Sequence, residues 1–265
     1  MLFLEVIILW QLYPVISNEG LFTFRKPKCC IYMTCAILPM HNIMDLEGAM
    51  ERMDKFVLFD FDGVIINSHV VQRQALEVSY RSICGEGEVP YDDFFKLSGD
   101  SLENIFTKLN LPLEMAAVYR AYSSRHIDSI IFNKEFIDVF ESLKKKKVQC
   151  VLCTGKERKR TIQLLKHFGI EHYFVKVVCS DDVKHPKPNP ESVEVVKQTY
   201  QLKDSQLIFV GDGINDIHCA RNANVKIVAV SWGDIKREAL EMECPDELVD
   251  SIEELRDSLE KWVNE

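Results

Sequence analysis

The feature that most constrains this chain is the stretch Phe56-Val-Leu-Phe-Asp-Phe-Asp-Gly63, in which a short apolar run meets two carboxylates one residue apart and then a glycine. An apolar run of this length, rich in Val and Phe and closed by a turn residue, reads as a buried strand of a parallel sheet. Asp60 and Asp62 then stand at its carboxyl end, the edge at which open α/β sheets bind ligands. Two carboxylates this close repel unless a cation lies between them or one holds a proton. The pair therefore points to a hard metal site or to a nucleophile with an acid/base partner. In isolation, a solvated strand-to-turn corner would read the same way.

The residues after this strand set the architecture. Val64-Ile-Ile-Asn-Ser68 leads into a helix, with Asn67 or Ser68 as its cap. From His69 to about Phe132 apolar residues recur at helical spacing (Val70, Val71, Ala75, Val78; later Met115, Val118, Tyr119, Tyr122) and no strong strand interrupts them. This predicts an inserted helical domain over residues 69–132. It is broken at Leu97-Ser-Gly-Asp-Ser101, where Ser98 or Asp100 is placed to cap the next helix.

Strands and helices then alternate. Helix Lys134–Lys147 precedes strand Val148–Cys153; helix Glu157–Phe168, closed by Gly169, precedes strand Phe174–Cys179. Helix Pro190–Tyr200, strand Leu207–Val210, a short helix after Asn215, strand Lys226–Val230 and helix Ile252–Val263 complete the chain. Five buried-looking strands separated by helices predict an α/β fold, a doubly wound parallel sheet with right-handed crossovers, formed by residues 53–68 and 133–265.

The segment before this pattern is different. Met1 to Ile16 is apolar but carries Glu5 and Pro14, too short and too interrupted to span a membrane, and it lacks the basic start of a signal peptide. Residues 1–52 are read as a poorly ordered, dispensable extension, with the working protein beginning near Met53. A net charge of −9 argues against general nucleic-acid binding. The nine cysteines form neither a disulfide framework nor paired zinc-like clusters, which fits a reducing, cytoplasmic compartment.

Three further strand ends are polar. Thr154-Gly-Lys156 offers a hydroxyl, a glycine amide and a helix N-terminus to a phosphate, although it is also ordinary helix-start chemistry. In His185-Pro-Lys-Pro-Asn-Pro190 the prolines restrict the backbone around Lys187 and would aim its ammonium group; a surface turn is the plainer alternative. Gly211-Asp-Gly-Ile-Asn-Asp216 adds Asp212 and Asp216 beside glycines that permit close backbone approach. Alone it could be helix capping. Beside Asp60 and Asp62 it completes an oxygen-rich site suited to Mg²⁺.

Asp60-Phe-Asp62, Thr154, Lys187 and Gly211-Asp-Gly-Ile-Asn-Asp216, in that order and each after a strand, resemble the four motifs of the haloacid dehalogenase (HAD) superfamily over about Met53 to the C-terminus. The resemblance implies that Asp60 is a nucleophile forming an aspartyl-phosphate and that Asp62 is the acid/base, its backbone carbonyl also meeting Mg²⁺. It further implies that Asp60 and Asp212 ligate the metal, that Asp216 acts behind them, and that Thr154, Gly155 and Lys187 hold phosphoryl oxygens. An aspartate at position 62 resembles the phosphatases and phosphomutases rather than the dehalogenases or P-type ATPases. The insertion resembles a small helical cap, with Arg73, Ser98, Gly99 and Asp100 as candidate substrate selectors, although Arg73 also reads as a solvent-facing helix residue.

The proportions are similar to phosphoglycolate phosphatases. Leu111-Pro-Leu-Glu-Met115, Thr154-Gly-Lys156 and Val230-Ser-Trp-Gly233 also resemble the phosphatases accompanying aminohydroxybenzoate biosynthesis. Asn67 stands where many relatives carry aspartate, and Gly155 where many carry asparagine. The function implied is a Mg²⁺-dependent phosphatase acting on a small phosphorylated metabolite. A phosphomutase is the nearest alternative, and an inactive binding or regulatory protein on the same scaffold is the alternative of another class.

Overall fold

A computed structural model describes residues 15–16, 22–23 and 55–265. The chain divides into a unit over 1–53 and a unit over 54–265. In the first, β1 (Val15–Ile16) pairs antiparallel with β2 (Phe22–Thr23). The expectation of a poorly ordered extension over 1–52 otherwise lies outside the described residues.

In the second unit, β3 (Phe56–Phe59) and β4 (Ile66–Asn67) precede four helices: α1 (His69–Ile83), α2 (Tyr91–Lys96), α3 (Leu102–Lys108) and α4 (Met115–Arg125). Next come β5 (Ile131–Phe132), α5 (Phe136–Lys145), β6 (Gln149–Cys153), α6 (Arg158–Phe168) and β7 (Phe174–Val178). The chain continues through α7 (Glu191–Tyr200), β8 (Leu207–Gly211), α8 (Ile214–Asn222), β9 (Lys226–Val230), α9 (Arg237–Met242), β10 (Glu247–Val249) and α10 (Ile252–Asn264).

Six strands form one parallel sheet in the order β10-β9-β8-β3-β6-β7. The first strand in sequence, β3, is thus central, with Phe59 in register with Val210 of β8 and Leu152 of β6. Its four residues are all buried, because helices cover both faces, and this is why the run is apolar without alternation. Val57 and Phe59 belong to a core with Phe136 and Phe140 of α5 and Leu255, Leu259 and Trp262 of α10. Phe56 and Leu58 belong to the opposite core, with Val193 and Val196 of α7 and Ile217 of α8. Phe59 meets Phe140 edge to face at a centroid distance of 5.6 Å. Burying each such ring contributes about 1.5–3 kcal/mol.

The inserted helices have a core of their own, in which Leu76, Phe94, Phe106, Met115 and Tyr119 pack together. The chain enters and leaves this region through a short antiparallel ribbon, with Ile66 opposite Phe132 and Asn67 opposite Ile131. These two-residue strands were not expected, since so short a pairing leaves no periodic signal. The sixth sheet strand, β10, was also not expected. It has three residues, begins with Glu247 and follows Pro245, and its identity as a strand comes from parallel pairing with Val228–Val230. Gly169 does close α6, at φ 70°. Among the described residues, no helix is long and apolar enough to cross a membrane.

Candidate active site

The carboxyl ends of β3, β6 and β8 converge on one buried cluster. Asp60 continues the ladder past the end of β3, its amide donating to the Val210 carbonyl at 2.9 Å. This fixes the backbone immediately before its side chain. The chain then turns at Gly63, where φ is +78° and an added Cβ would lie 2.0 Å from Asp212 Oδ2. Both the backbone conformation and the space require glycine there.

Lys187 Nζ donates to Asp60 Oδ1 at 2.6 Å, Asp216 Oδ1 at 2.6 Å and the Cys153 carbonyl at 3.2 Å. Asp216 lies in the first turn of α8, and its Oδ2 accepts the Gly213 amide at 3.0 Å. Asp212 Oδ2 accepts the Asp234 amide at 3.1 Å. Asp60, Asp212 and Asp216 each place a carboxylate oxygen within 4.8 Å of the other two, and all three are buried.

Two of these three buried carboxylates, Asp60 and Asp216, therefore share one ammonium group. Burial pushes the Asp60 carboxyl up to about 7; the Lys187 charge opposes this and Asp216 adds to it. Burial, then Asp216 and Asp60, raise Asp212 well above the usual carboxylate range. Burial alone would favour neutral Lys187, but Asp216 and Asp60 outweigh it and hold the ammonium above the ordinary lysine range. A cluster of hard oxygen donors that repel one another in a buried place fits a small divalent cation such as Mg²⁺.

Asp62 occupies a different environment. Its side chain retains 20% exposure, against 4% for Asp60. Its Oδ1 accepts from the Ser68 hydroxyl and from Gln72 Nε2, the latter at 3.2 Å, while Lys156 Nζ stands 3.1 Å from Oδ2. Thus one acid is buried against Lys187, while the other is held by three donors at the rim.

A cavity of about 70 Å³ opens between the sheet edge and the inserted helices. Asp60, Asp62, Thr154, Gly155 and Lys156 line it from the sheet side; Gln72, Phe94, Ser98, Gly99 and Tyr119 line it from the helical side. The expected residues Asp60, Asp62, Thr154, Gly155, Ser98 and Gly99 thus meet at one place, with Lys187, Asp212 and Asp216 behind Asp60. Asp100 also reaches the cavity wall, but its carboxylate is engaged by the Ser101 amide at 2.7 Å, Asn104 Nδ2 at 2.9 Å and Lys108 Nζ at 2.7 Å. Arg73 is not among the lining residues. It is exposed and its guanidinium lies 3.7 Å from the centroid of the Tyr91 ring. Asn67 is exposed and its side chain accepts the His69 amide at 3.1 Å.

Sequence reasoning did not single out Ser68, Gln72 or Lys156 as partners of Asp62. The available signal was weak: Ser68 and Gln72 are four apart at the start of the first helix after the Asp-x-Asp-Gly turn, a spacing that places them on one face.

Residues 57–230 match the family described as haloacid dehalogenase-like hydrolase. The chain is similar to the pyrophosphatase PpaX of Bacillus mycoides (strain KBAB4), 30% identical over 202 residues, which cover 75% of this chain and 94% of that protein. PpaX of Bacillus velezensis (strain DSM 23117 / BGSC 10A6 / LMG 26770 / FZB42) is likewise 30% identical over 202 residues, covering 75% and 93%. Among solved structures, a hydrolase from Pseudomonas syringae superposes with a TM-score of 0.70 at 18% identity, covering 78% of this chain and 98% of that one. A predicted phosphoglycolate phosphatase from Haemophilus somnus 129pt superposes with a TM-score of 0.64 at 19% identity, covering 76% and 96%. At these identities the structural likeness speaks to the fold.

Proposed function

The chain belongs to the haloacid dehalogenase-like hydrolase family as a phosphatase, and we propose that it hydrolyses a small phosphate monoester, with Mg²⁺, through an aspartyl-phosphate on Asp60. The observation that carries this reading is the separation of the two acids: Asp60 is buried and held by Lys187, whereas Asp62 is at the rim in the grip of Ser68, Gln72 and Lys156.

Asp60 and Asp212 would hold Mg²⁺ through their carboxylates and Asp62 through its backbone carbonyl, with Asp216, engaged by Lys187 and the Gly213 amide, supporting them from behind; the ion would supply charge neutralisation at the phosphoryl oxygens. The chain's own residues do the rest. Lys187, through Asp60 Oδ1, fixes the carboxylate that attacks phosphorus. As the bond from phosphorus to the leaving oxygen breaks, Asp62 gives that oxygen a proton. Asp62 then takes a proton from water, the water oxygen attacks the aspartyl-phosphate, and inorganic phosphate leaves with the Asp60 carboxylate restored. Thr154, Gly155 and Lys187 would supply donors to the phosphoryl oxygens, so that catalysis would rest on positioning and charge.

Residues 53–68 and 133–265 are read as the catalytic core and 69–132 as the cap, which would exclude bulk water when closed. A cavity of about 70 Å³ supports a small leaving group such as that of phosphoglycolate or a sugar phosphate. The likeness to PpaX adds inorganic pyrophosphate as a second candidate substrate. The described cysteines Cys84, Cys150, Cys153, Cys179, Cys219 and Cys244 are all unpaired, which supports a cytoplasmic setting. A screen of phosphorylated metabolites with and without Mg²⁺ tests the reading: release of inorganic phosphate is expected, and formation of an isomeric sugar phosphate without phosphate release would favour a phosphomutase.

A further inference from the structure

Gly155 has no positive φ, so its backbone conformation does not call for glycine. The space around it does. A Cβ at this position would lie 2.3 Å from the Gly99 carbonyl oxygen and 2.5 Å from that of Asp100, both backbone atoms of the loop between α2 and α3. The same loop is held from the other side by Asn215, a buried residue in the first turn of α8, whose Nδ2 donates to the Ser98 carbonyl at 2.9 Å and to the Leu97 carbonyl at 3.2 Å. Gly99 sits at φ +90°, and a Cβ there would come 3.4 Å from Asn215 Cβ and 3.5 Å from Asp216 Oδ1. Four successive carbonyl oxygens of the inserted domain, those of residues 97 to 100, are therefore turned onto two residues of the sheet domain.

We infer that Gly155 and Asn215 form a seat for the 97–100 loop, and that the depth of this seat sets the size of leaving group the closed site accepts. The inference rests on the phosphatase reading above. Asn215 holds the loop by hydrogen bonds, and Gly155, by lacking a side chain, lets it descend beside Asp60. The resulting cavity of about 70 Å³ is well below the roughly 300 Å³ at which small-molecule clefts begin. A larger residue at position 155 props the loop outward and enlarges the room for the leaving group, while loss of the Asn215 amide releases the loop without adding bulk. Gly155 and Asn215 are positioning residues here: they act on specificity through the loop.

The test compares the parent with Gly155→Asn, the milder Gly155→Ala, and Asn215→Ala. Each is assayed for kcat/KM on phosphoglycolate and inorganic pyrophosphate as small probes and on p-nitrophenyl phosphate as a bulky one, with amide hydrogen exchange of residues 97–101 measured in parallel. The expected result is a drop of about tenfold or more in the ratio of small-probe to bulky-probe kcat/KM, consistent with losing one or two hydrogen bonds or a close backbone contact, together with faster exchange in the loop. Parallel losses on all probes with loop exchange unchanged would overturn the inference. If the parent hydrolyses none of these probes, the phosphatase reading fails by itself. The exchange arm then decides the seat: faster loop exchange in the variants upholds it, and unchanged exchange refutes it.

Discussion

Lys187 Nζ stands 2.6 Å from Asp60 Oδ1, joining two residues 127 positions apart in the chain and both shielded from water. A second contact of the same length reaches Asp216. The ammonium group is therefore the common support of the proposed nucleophile and of a second carboxylate in the proposed metal cluster.

Replacing Lys187 by alanine removes that support and leaves the Asp60 and Asp216 charges facing each other. Truncating one partner of a buried ion pair costs about 3–5 kcal/mol of stability, and loss of a donor aimed at a reacting anion costs about 10²–10³-fold in kcat. Chemical denaturation without Mg²⁺ and phosphate-release kinetics measure the two effects separately. Added Mg²⁺ is expected to recover part of the stability and little of the activity.

Asp62→Asn keeps a side chain of the same shape among Ser68, Gln72 and Lys156 but cannot deliver or accept the proton. Phosphatase activity should fall by about 10²–10⁴-fold on esters with a basic leaving oxygen. The loss in the first step should be smaller on aryl phosphates, whose leaving group needs less protonation. Rapid-mixing kinetics on the two substrate types checks this contrast.

Mg²⁺ binding should release protons near neutrality. In the absence of a cation the Asp60 carboxyl is raised to about 7 by burial, so it holds a proton over much of the interval between about 4 and 7 that it would lose in the unfolded chain. This makes its contribution to metal-free stability greatest at low pH and smaller as pH rises towards 7. A cation expels that proton, so Mg²⁺ affinity should weaken as pH falls below about 7. Calorimetry at pH 6.5 in two buffers of different ionisation enthalpy would reveal the proton release, and identical heats in both would contradict it.

Removing residues 1–52 should leave a folded, active protein, because the proposed catalytic groups and both cores flanking the sheet lie in the unit over 54–265. Phosphate release by the shortened chain at the parent's rate is the expected result. Loss of soluble, active protein would show that the leader contributes to the working unit.

Much of this arrangement was legible in the sequence for physical reasons that particular residues make plain. Phe56–Phe59 is apolar throughout because both faces of the central strand are covered, and Asp60 and Asp62 stand out because they end that run. The proposed nucleophile and its counterpart at Asp212 announce themselves in this way, each coming just after a buried strand. The partners of Asp62 do not: Ser68, Gln72 and Lys156 reach it only when the 60–68 turn, α1 and the end of β6 are assembled. Arg73 lay on the same helix as Gln72, one residue on, and helical geometry turned it towards Tyr91 rather than the cavity. Gly155 was visible only as an unusual residue; the carbonyl oxygens that occupy its missing side chain's place come from a loop more than fifty residues earlier. The edge strand β10 escaped because pairing, and not composition, defines it.

The central claim is that Asp60 is the group that attacks phosphorus. Its most direct test is Mg²⁺-dependent release of inorganic phosphate from an aryl phosphate by the parent and by Asp60→Asn, with folding of both verified by circular dichroism. The account predicts that the folded variant releases no phosphate above the uncatalysed background. Hydrolysis by Asp60→Asn at the parent's rate would contradict it.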